Sequence, residues 1–420
     1  MPPRVLHLST YDVRGGAARS AYALHRSMVA AGIDSTMQVA LKTVDDPTVE
    51  GTPQEAARRT PAGLRFLAAN DLEHRMWGLQ HSAIDIWRSP GYFGSLSARA
   101  INATDADVVN IHWATDGFLS IREIGRITKP VVWSLCDMWP FSGSEHYGSD
   151  APDARWRTGY TKDNRPPDER GFDLDLHAWE RKRKWWTRER HVVTASTWMN
   201  NATHASALMR EWPTHQIPHV IDCDTFQPME MREARAALGL PQDVPLILFI
   251  ASGGINDGRK GWDLLEEALP QVRQAHPNAE VVIIGTATPG YETADRTPIN
   301  WIGDVHGDEE LARYYSAADV TAVPSRDDNM PLTAMEAQSC GRAVVSFAIG
   351  GLPDSVSHQQ TGYLANPYDV ADLATGLTQA LDDSQGMNVW SQAARLRAVL
   401  TWSPQVVVPQ YLAVYEQACR

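Results

Sequence analysis

The sequence predicts an α/β chain built as two parallel-sheet domains, and three observations carry this. Short, β-branched apolar runs are each followed by a stretch of helical periodicity, the pattern of βαβ units. The pattern starts at Val5 and starts afresh at Leu246. The 420 residues are also more than one core usually organises.

Composition narrows the function classes. A formal net charge of −13 argues against a nucleic-acid binder, which needs a basic stripe. Cys136, Cys223, Cys340 and Cys419 are scattered, with neither metal-ligand spacing nor a disulfide framework, which points to a reducing cytoplasm. Met1-Pro2-Pro3-Arg4 leads straight into a strand rather than a signal-peptide apolar region. No run of about 18 apolar residues is present to span a membrane. Of the fifteen Trp, several lie between residues 77 and 212, and they suggest an amphipathic or sugar-facing surface there.

Taken in order, Val5-Leu6-His7-Leu8-Ser9 reads as a buried strand. Gly15-Gly16 opens a helix in which Ala21, Leu24, Met28 and Ala31 recur at helical spacing, and Thr36 to Leu41 is the next strand. A glycine loop at a helix N-terminus lets anions or sugar hydroxyls approach the backbone, although a tight turn alone also explains it. It is not a Gly-x-Gly-x-x-Gly fingerprint, so no NAD is inferred. Residues 44–100 carry no recognisable chemistry. Asp107 to Trp113 and Pro130 to Leu135 are strands that put His112 and Asp137 at their C-terminal ends, where open α/β sheets bind ligands. Gly148 to Asp175 reads as a long ordered loop or a flexible lid. Trp179 to Arg190 is the one basic block, with Trp interleaved. It suits either an interfacial patch, giving peripheral membrane contact through 181–190, or a solvated helix face.

The second half repeats the logic. Leu246 to Ile250 is a strand, followed by Gly253-Gly254 and then Gly258-Arg259-Lys260-Gly261. Glycines allow close approach, and an Arg-Lys pair can neutralise two phosphates. Val320 to Val323 leads through a polar loop into a short helix, with Pro331 suited to its first turn and Gly341 to its stop. Asp328 precedes this helix. Glu336 lies roughly 7 Å further along its axis, beside an N-terminus that attracts anions. A ligand with hydroxyls at both ends and a diphosphate between them fits this arrangement, as a nucleotide sugar does. Two solvated acids on a capped surface helix is the plainer alternative.

Asp328-x7-Glu336, followed by Phe347-Ala348-Ile349-Gly350-Gly351-Leu352-Pro353, resembles the C-terminal signature of retaining glycosyltransferases of the GT-B fold, family GT4. That family has Glu where this chain has Asp328. Ile217-Pro218-His219 through Phe226 resembles its inter-domain linker, commonly Ile-Pro-Asn-Gly-Ile-Asp-x-x-x-Phe. His112-Trp113 and Asp137-Met138-Trp139-Pro140-Phe141 match members acting on exopolysaccharide and O-antigen units. Cys136 replaces a frequent His there, and a cysteine-rich stretch often found just beyond is absent, so any metal or disulfide staple of that loop is expected to be lost.

The resemblance implies two Rossmann-like domains facing a cleft, 1–222 on the acceptor side and 223–403 binding the nucleotide sugar, with helix 404–420 crossing back onto the first. It implies sugar transfer from a nucleotide-diphosphate donor to a glycan or lipid-linked acceptor, in surface polysaccharide synthesis. The reaction is expected to be cytoplasmic or peripheral on the inner face of the plasma membrane. His112, Arg259, Lys260, Asp328 and Glu336 become the expected catalytic set. Gly15, Gly16, Gly254, Asn329, Met330, Leu332 and Thr333, with Arg259, Lys260 and Glu336, become the donor contacts. No cofactor and no metal are expected, since no Asp-x-Asp stands in a metal position. A catalytically silent GT-B glycan-binding or regulatory protein is the alternative reading.

Overall fold

The computed structural model describes residues 2–82, 87–385 and 388–420. The chain divides into two compact units, Met1–Ile217 with Val408–Arg420, and Pro218–Val407.

Unit 1 is a seven-stranded parallel sheet. Its strands are β1 (Val5–Tyr11), β2 (Ser35–Lys42), β3 (Val49–Pro53), β4 (Val108–Ile111), β5 (Val131–Leu135), β6 (His191–Thr194) and β7 (Thr214–Gln216), in the order β3-β2-β1-β4-β5-β6-β7. β4 and β5 are buried along their whole length, as a sheet covered on both faces requires. Helix α1 (Gly16–Ala30) buries Ala18, Ala21, Leu24, His25 and Met28 on one stripe. Asn110 in mid-sheet is polar but satisfied. Its amide donates to Tyr415 Oη at 2.7 Å and its carbonyl accepts from Ser134 Oγ. Tyr415 sits on α2 (Pro404–Ala418), whose residues from Val408 onward belong to unit 1.

Two expectations are corrected here. The tryptophans between 77 and 212 are mostly core rather than surface: Trp133, Trp139, Trp156, Trp179, Trp186 and Trp212 are all buried in one cluster. Nor is the block 181–190 a uniform basic patch. Residues Leu174–Trp185 form a helix, and its turn carries Ala178, Trp179 and Lys182 onto the inward face. Lys182 is fully buried, its ammonium donating to the carbonyls of Trp139, Ser142 and Gly143 and resting on the Trp139 ring. Arg181 donates to the carbonyls of Pro90 and Gly91, and Arg190 to that of Ile124. The exposed cations left are Arg183, Lys184 and Arg188, interspersed with exposed Glu180 and Glu189.

The 148–175 segment is an ordered loop. It contains a short helix, Arg155–Thr158, and a two-residue strand, Arg170–Gly171, pairing with Gln80–His81. Arg155 bridges to Asp173 at 2.8 Å, Arg88 to Glu169 and Asp175 at 3.5 Å each, and Arg165 to Glu169 at 3.6 Å.

Unit 2 is a six-stranded parallel sheet of β8 (Leu246–Ile250), β9 (Glu280–Ile284), β10 (Ile299–Gly303), β11 (Val320–Val323), β12 (Ala343–Phe347) and β13 (Gly362–Ala365), in the order β10-β9-β8-β11-β12-β13. The order reverses between β8 and β11, so the loops after these two strands open side by side. Such a switch point is where open α/β sheets bind ligands. No described helix is long and apolar enough to cross a membrane.

Candidate active site

In unit 2 the loops after β8 and β11 are stapled together by the backbone. Arg326 N–H donates to the Arg259 carbonyl at 2.8 Å, the Arg326 guanidinium to the Gly258 carbonyl at 2.8 Å, and the Arg259 guanidinium to the Asp327 carbonyl at 2.9 Å. These bonds fix Gly258–Lys260, a short 3₁₀ turn, against the segment carrying Asp328. Lys260 Nζ then lies 2.7 Å from Asp328 Oδ2, and Arg259 Nη1 lies 3.6 Å from the same oxygen. Burial pushes the Asp328 carboxyl upward, but Lys260 and Arg259 overcome it and hold the pKa below its ordinary value. Asp328 is thus an ionised carboxylate balanced by two cations.

Gly350 seats this loop. It has φ +51°, and a Cβ there would collide with the Asp328 carbonyl oxygen, which itself accepts from Gly351 N–H at 3.0 Å. Only glycine meets both demands without strain.

Downstream, Pro331 is the N-cap of the helix Leu332–Ser339 rather than its first helical residue. Asn329, Met330 and Leu332 are buried and Thr333 is half-buried. Glu336 is 2% exposed, and its Oε2 accepts from the Tyr315 hydroxyl at 2.9 Å. Tyr315 lies on the helix Asp308–Ala317 and is itself fully buried. Gly254 is buried at the turn after β8. His219 is near enough to Asp328 to be drawn upward by its charge, yet burial outweighs this and pushes the imidazole down to about 4.

The remaining predicted residues belong to unit 1. Gly15 and Gly16 are exposed at the start of α1, and nothing lies within 4 Å of where a Cβ on either would stand, so the backbone there is approachable. His112 follows β4, its N–H bonded to the Leu8 carbonyl at 2.9 Å. Its Nε2 is 2.9 Å from Nδ1 of His7, a fully buried residue in mid-strand β1. Burial, then the neighbouring His112 and His25, push the His7 imidazole well below its ordinary pKa, so it is neutral. His7 Nε2 has no hydrogen-bond partner among the described residues. A buried N–H without an acceptor is rarer than a bare acceptor, so the proton sits on Nδ1 and is donated to His112. With its Nε2 accepting, His112 carries its proton on the other nitrogen, Nδ1, as a donor.

Glu169, Asp173 and Asp175 converge closely enough to hold a cation, but they are the acids engaged by Arg88, Arg155 and Arg165, so the cluster is neutralised by protein. The four cysteines are free. Sequence reasoning missed His7, Tyr315 and His219. The first was visible as a polar residue inside an apolar strand, and the third as a His where the resembled linker commonly has Asn. Tyr315 left no local signal.

Comparison with known proteins bears on this geometry. The sequence model of the glycosyl transferases group 1 family matches residues 245–383. A D-inositol 3-phosphate glycosyltransferase of Streptomyces avermitilis is 26% identical over 80% of this chain and 69% of its own length. With other relatives of that name the match spans about a third to a half of their length, 35% in one and 51% in another. Among solved structures, a sucrose-phosphate synthase of Thermosynechococcus elongatus superposes over 99% of this chain and 98% of its own, with a TM-score of 0.66 and 18% identity. Anabaena HepE in complex with UDP-glucose does so over 99% and 100%, with a TM-score of 0.61 and 14% identity. The switch-point site lies within residues 245–383, the part that matches the glycosyl transferases group 1 family, and the two parallel-sheet units have the GT-B fold.

Proposed function

We propose that the protein is a retaining, metal-independent hexosyltransferase that moves a sugar from a nucleoside-diphosphate donor to a glycan or lipid-linked acceptor, as a cytoplasmic step of surface polysaccharide synthesis. The observation that carries this is the Arg259–Lys260–Asp328 cluster at the N-terminus of the helix bearing Glu336. It brings two cations, two buried carboxylates and a helix N-terminus to one switch point. The donor's phosphates take over Arg259 and Lys260, which frees Asp328 for sugar hydroxyls, while Glu336 holds the ribose diol. Charge grows on the departing phosphate, and fixed donors in a water-poor site are worth most there. The departing phosphate assists attack from the same face. His112, a hydrogen-bond donor by the tautomer argument, steadies the sugar rather than acting as a base. Gly15, Gly16 and Gly254 supply backbone that a substrate can approach. The UDP-glucose complex of HepE, with the same fold, supports a uridine donor.

The experiment is a thermal-shift screen of UDP-, GDP- and dTDP-sugars, followed by assay of nucleoside diphosphate release. Stabilisation follows from binding by mass action. A chain that binds none of them and releases no diphosphate is not a glycosyltransferase. Release is expected to persist in EDTA; loss on chelation with recovery on Mg²⁺ would overturn metal independence.

A further inference from the structure

Unit 1 contains a small cavity, with room for about one water-sized group such as a hydroxyl, whose lining includes His112, Trp113, Thr115, Cys136, Asp137 and Trp139. Asp137, 7% exposed, is held at its edge. Its Oδ2 accepts from His146 Nδ1 at 2.6 Å and Trp113 Nε1 at 3.0 Å, and its Oδ1 from Trp139 N–H at 3.0 Å. His146 Nε2 is 2.8 Å from Ser89 Oγ. This is the order of a hydrolytic Ser-His-Asp triad, but here Ser89 is 1% exposed and does not line the cavity. The member of the set that reaches the cavity is the carboxylate. The bonds run in the donor sense of a triad, from Ser89 to His146 to Asp137, but the end that faces the cavity is the carboxylate rather than the hydroxyl.

A carboxylate accepts about four hydrogen bonds, and three are taken, so one remains. Thr115, also lining the cavity and 3% exposed, has a hydroxyl with no hydrogen-bond partner among the described residues. The thiol of Cys136 is pushed up by burial and by Asp137, so it is protonated and unreactive. Among the described residues lining the cavity none is Lys or Arg. The walls thus provide aromatic faces, an acceptor and an unpartnered hydroxyl, with no cation to receive a phosphate.

We propose that Asp137 is an acceptor-binding residue, that it takes a hydroxyl of a neutral glycan in the cavity it shares with His112, and that His146 and Ser89 are its positioning residues. This rests on the glycosyltransferase reading and names the acceptor class for it. It sets the chain apart from the relatives named for inositol 3-phosphate, because a phosphate in this cavity would meet the Asp137 carboxylate with no Lys or Arg among the described lining residues to bind it.

The test uses the full chain with whichever nucleotide sugar stabilises it most, and two acceptor probes: octyl hexosides and myo-inositol 3-phosphate. The wild type is expected to glycosylate an octyl hexoside and not the inositol phosphate. Asp137→Asn should lose about ten- to a hundredfold in kcat/KM for the hexoside, through KM, the scale of one hydrogen bond to a charged group. Its donor-induced melting shift should match the wild type, and Asp137→Glu should recover part of the loss. Ser89→Ala should raise the hexoside KM by less. Unchanged kcat/KM in Asp137→Asn overturns the assignment. So does loss of the donor-induced shift in that variant, which would make Asp137 structural. Preference of the wild type for inositol phosphate, or diphosphate release with no transfer to any hexoside, overturns the neutral-glycan acceptor. No diphosphate release by the wild type at all overturns the glycosyltransferase reading, and this inference with it.

Discussion

Lys260 Nζ lies 2.7 Å from Asp328 Oδ2, so the cation expected to hold phosphate is paired with the carboxylate expected to hold sugar. Each is the other's counterion until a donor arrives. Lys260→Ala should therefore act mainly on kcat, because the charge it meets grows as the phosphate departs. The expected loss is about 3 kcal/mol, on the order of a hundredfold. Steady-state kinetics with varied donor checks this. A rise in KM at unchanged kcat would show Lys260 to be a binding contact only.

Glu336 makes a different prediction. It is anchored by the Tyr315 hydroxyl, and the role proposed for it is recognition of the donor. Glu336→Ala should abolish the donor-induced rise in melting temperature. Tyr315→Phe keeps the carboxylate and removes one bond to it, a change of about 1–2 kcal/mol, and should weaken donor binding without abolishing it. Equal donor-induced shifts in wild type and Glu336→Ala would remove Glu336 from the site.

The contrast between what was legible and what was not follows the range of the interactions. The central strands of both sheets were readable because runs such as Val131–Leu135 and Ala343–Phe347 are local patterns, and parallel strands buried on both faces read as continuous apolar runs. The short edge strands β3, β7 and β13 carry too little apolar pattern and were not read. The loop after β11 was readable because Asp328 and Glu336 lie on one short segment. Pairing was not. Lys260 and Asp328 are 68 positions apart, His7 and His112 are 105 apart, and no local spacing encodes either. The basic block misled for a related reason: charge at Lys182 suggested solvent, but only tertiary packing supplies the three carbonyls that bury it.

That block makes the third prediction. A buried ammonium is stable only while its acceptors remain, and burial already pushes the Lys182 pKa down to about 7. Lys182→Met removes the donor that three buried carbonyls share and should cost on the order of 3 kcal/mol. Arg183→Ser and Lys184→Ser, at exposed positions of the same helix, should change stability by no more than about 0.5 kcal/mol. Urea denaturation of the three variants is the comparison. Similar losses in all three would return Lys182 to the surface.

The last prediction concerns acid. His25 on α1 is fully buried, its ring nitrogens 2.8 Å from Ser35 Oγ and 2.8 Å from Thr48 Oγ1. Burial pushes its imidazole down to about 4, against an upward pull from Asp46. The sign follows from linkage. The unfolded chain takes up a proton near pH 6.5 and the folded one only near 4, so this contribution is present in full above pH 6.5 and is lost as the pH falls through 4. Its size is about 3 kcal/mol. Other groups titrate nearby with different windows. Asp46, held down to about 2, loses its contribution at lower pH, and Glu145, raised by burial to about 8, gains stability as pH falls from 8 toward 4.5. The wild-type profile alone is therefore a sum, and the difference from His25→Gln isolates the imidazole. That variant stays neutral and retains an amide that can bond to the two hydroxyls. Urea midpoints measured at pH 7 and pH 4 should show the wild type losing more stability than His25→Gln, by about 3 kcal/mol. Parallel losses in the two proteins would mean that His25 accepts its proton in the folded state as readily as in the unfolded chain.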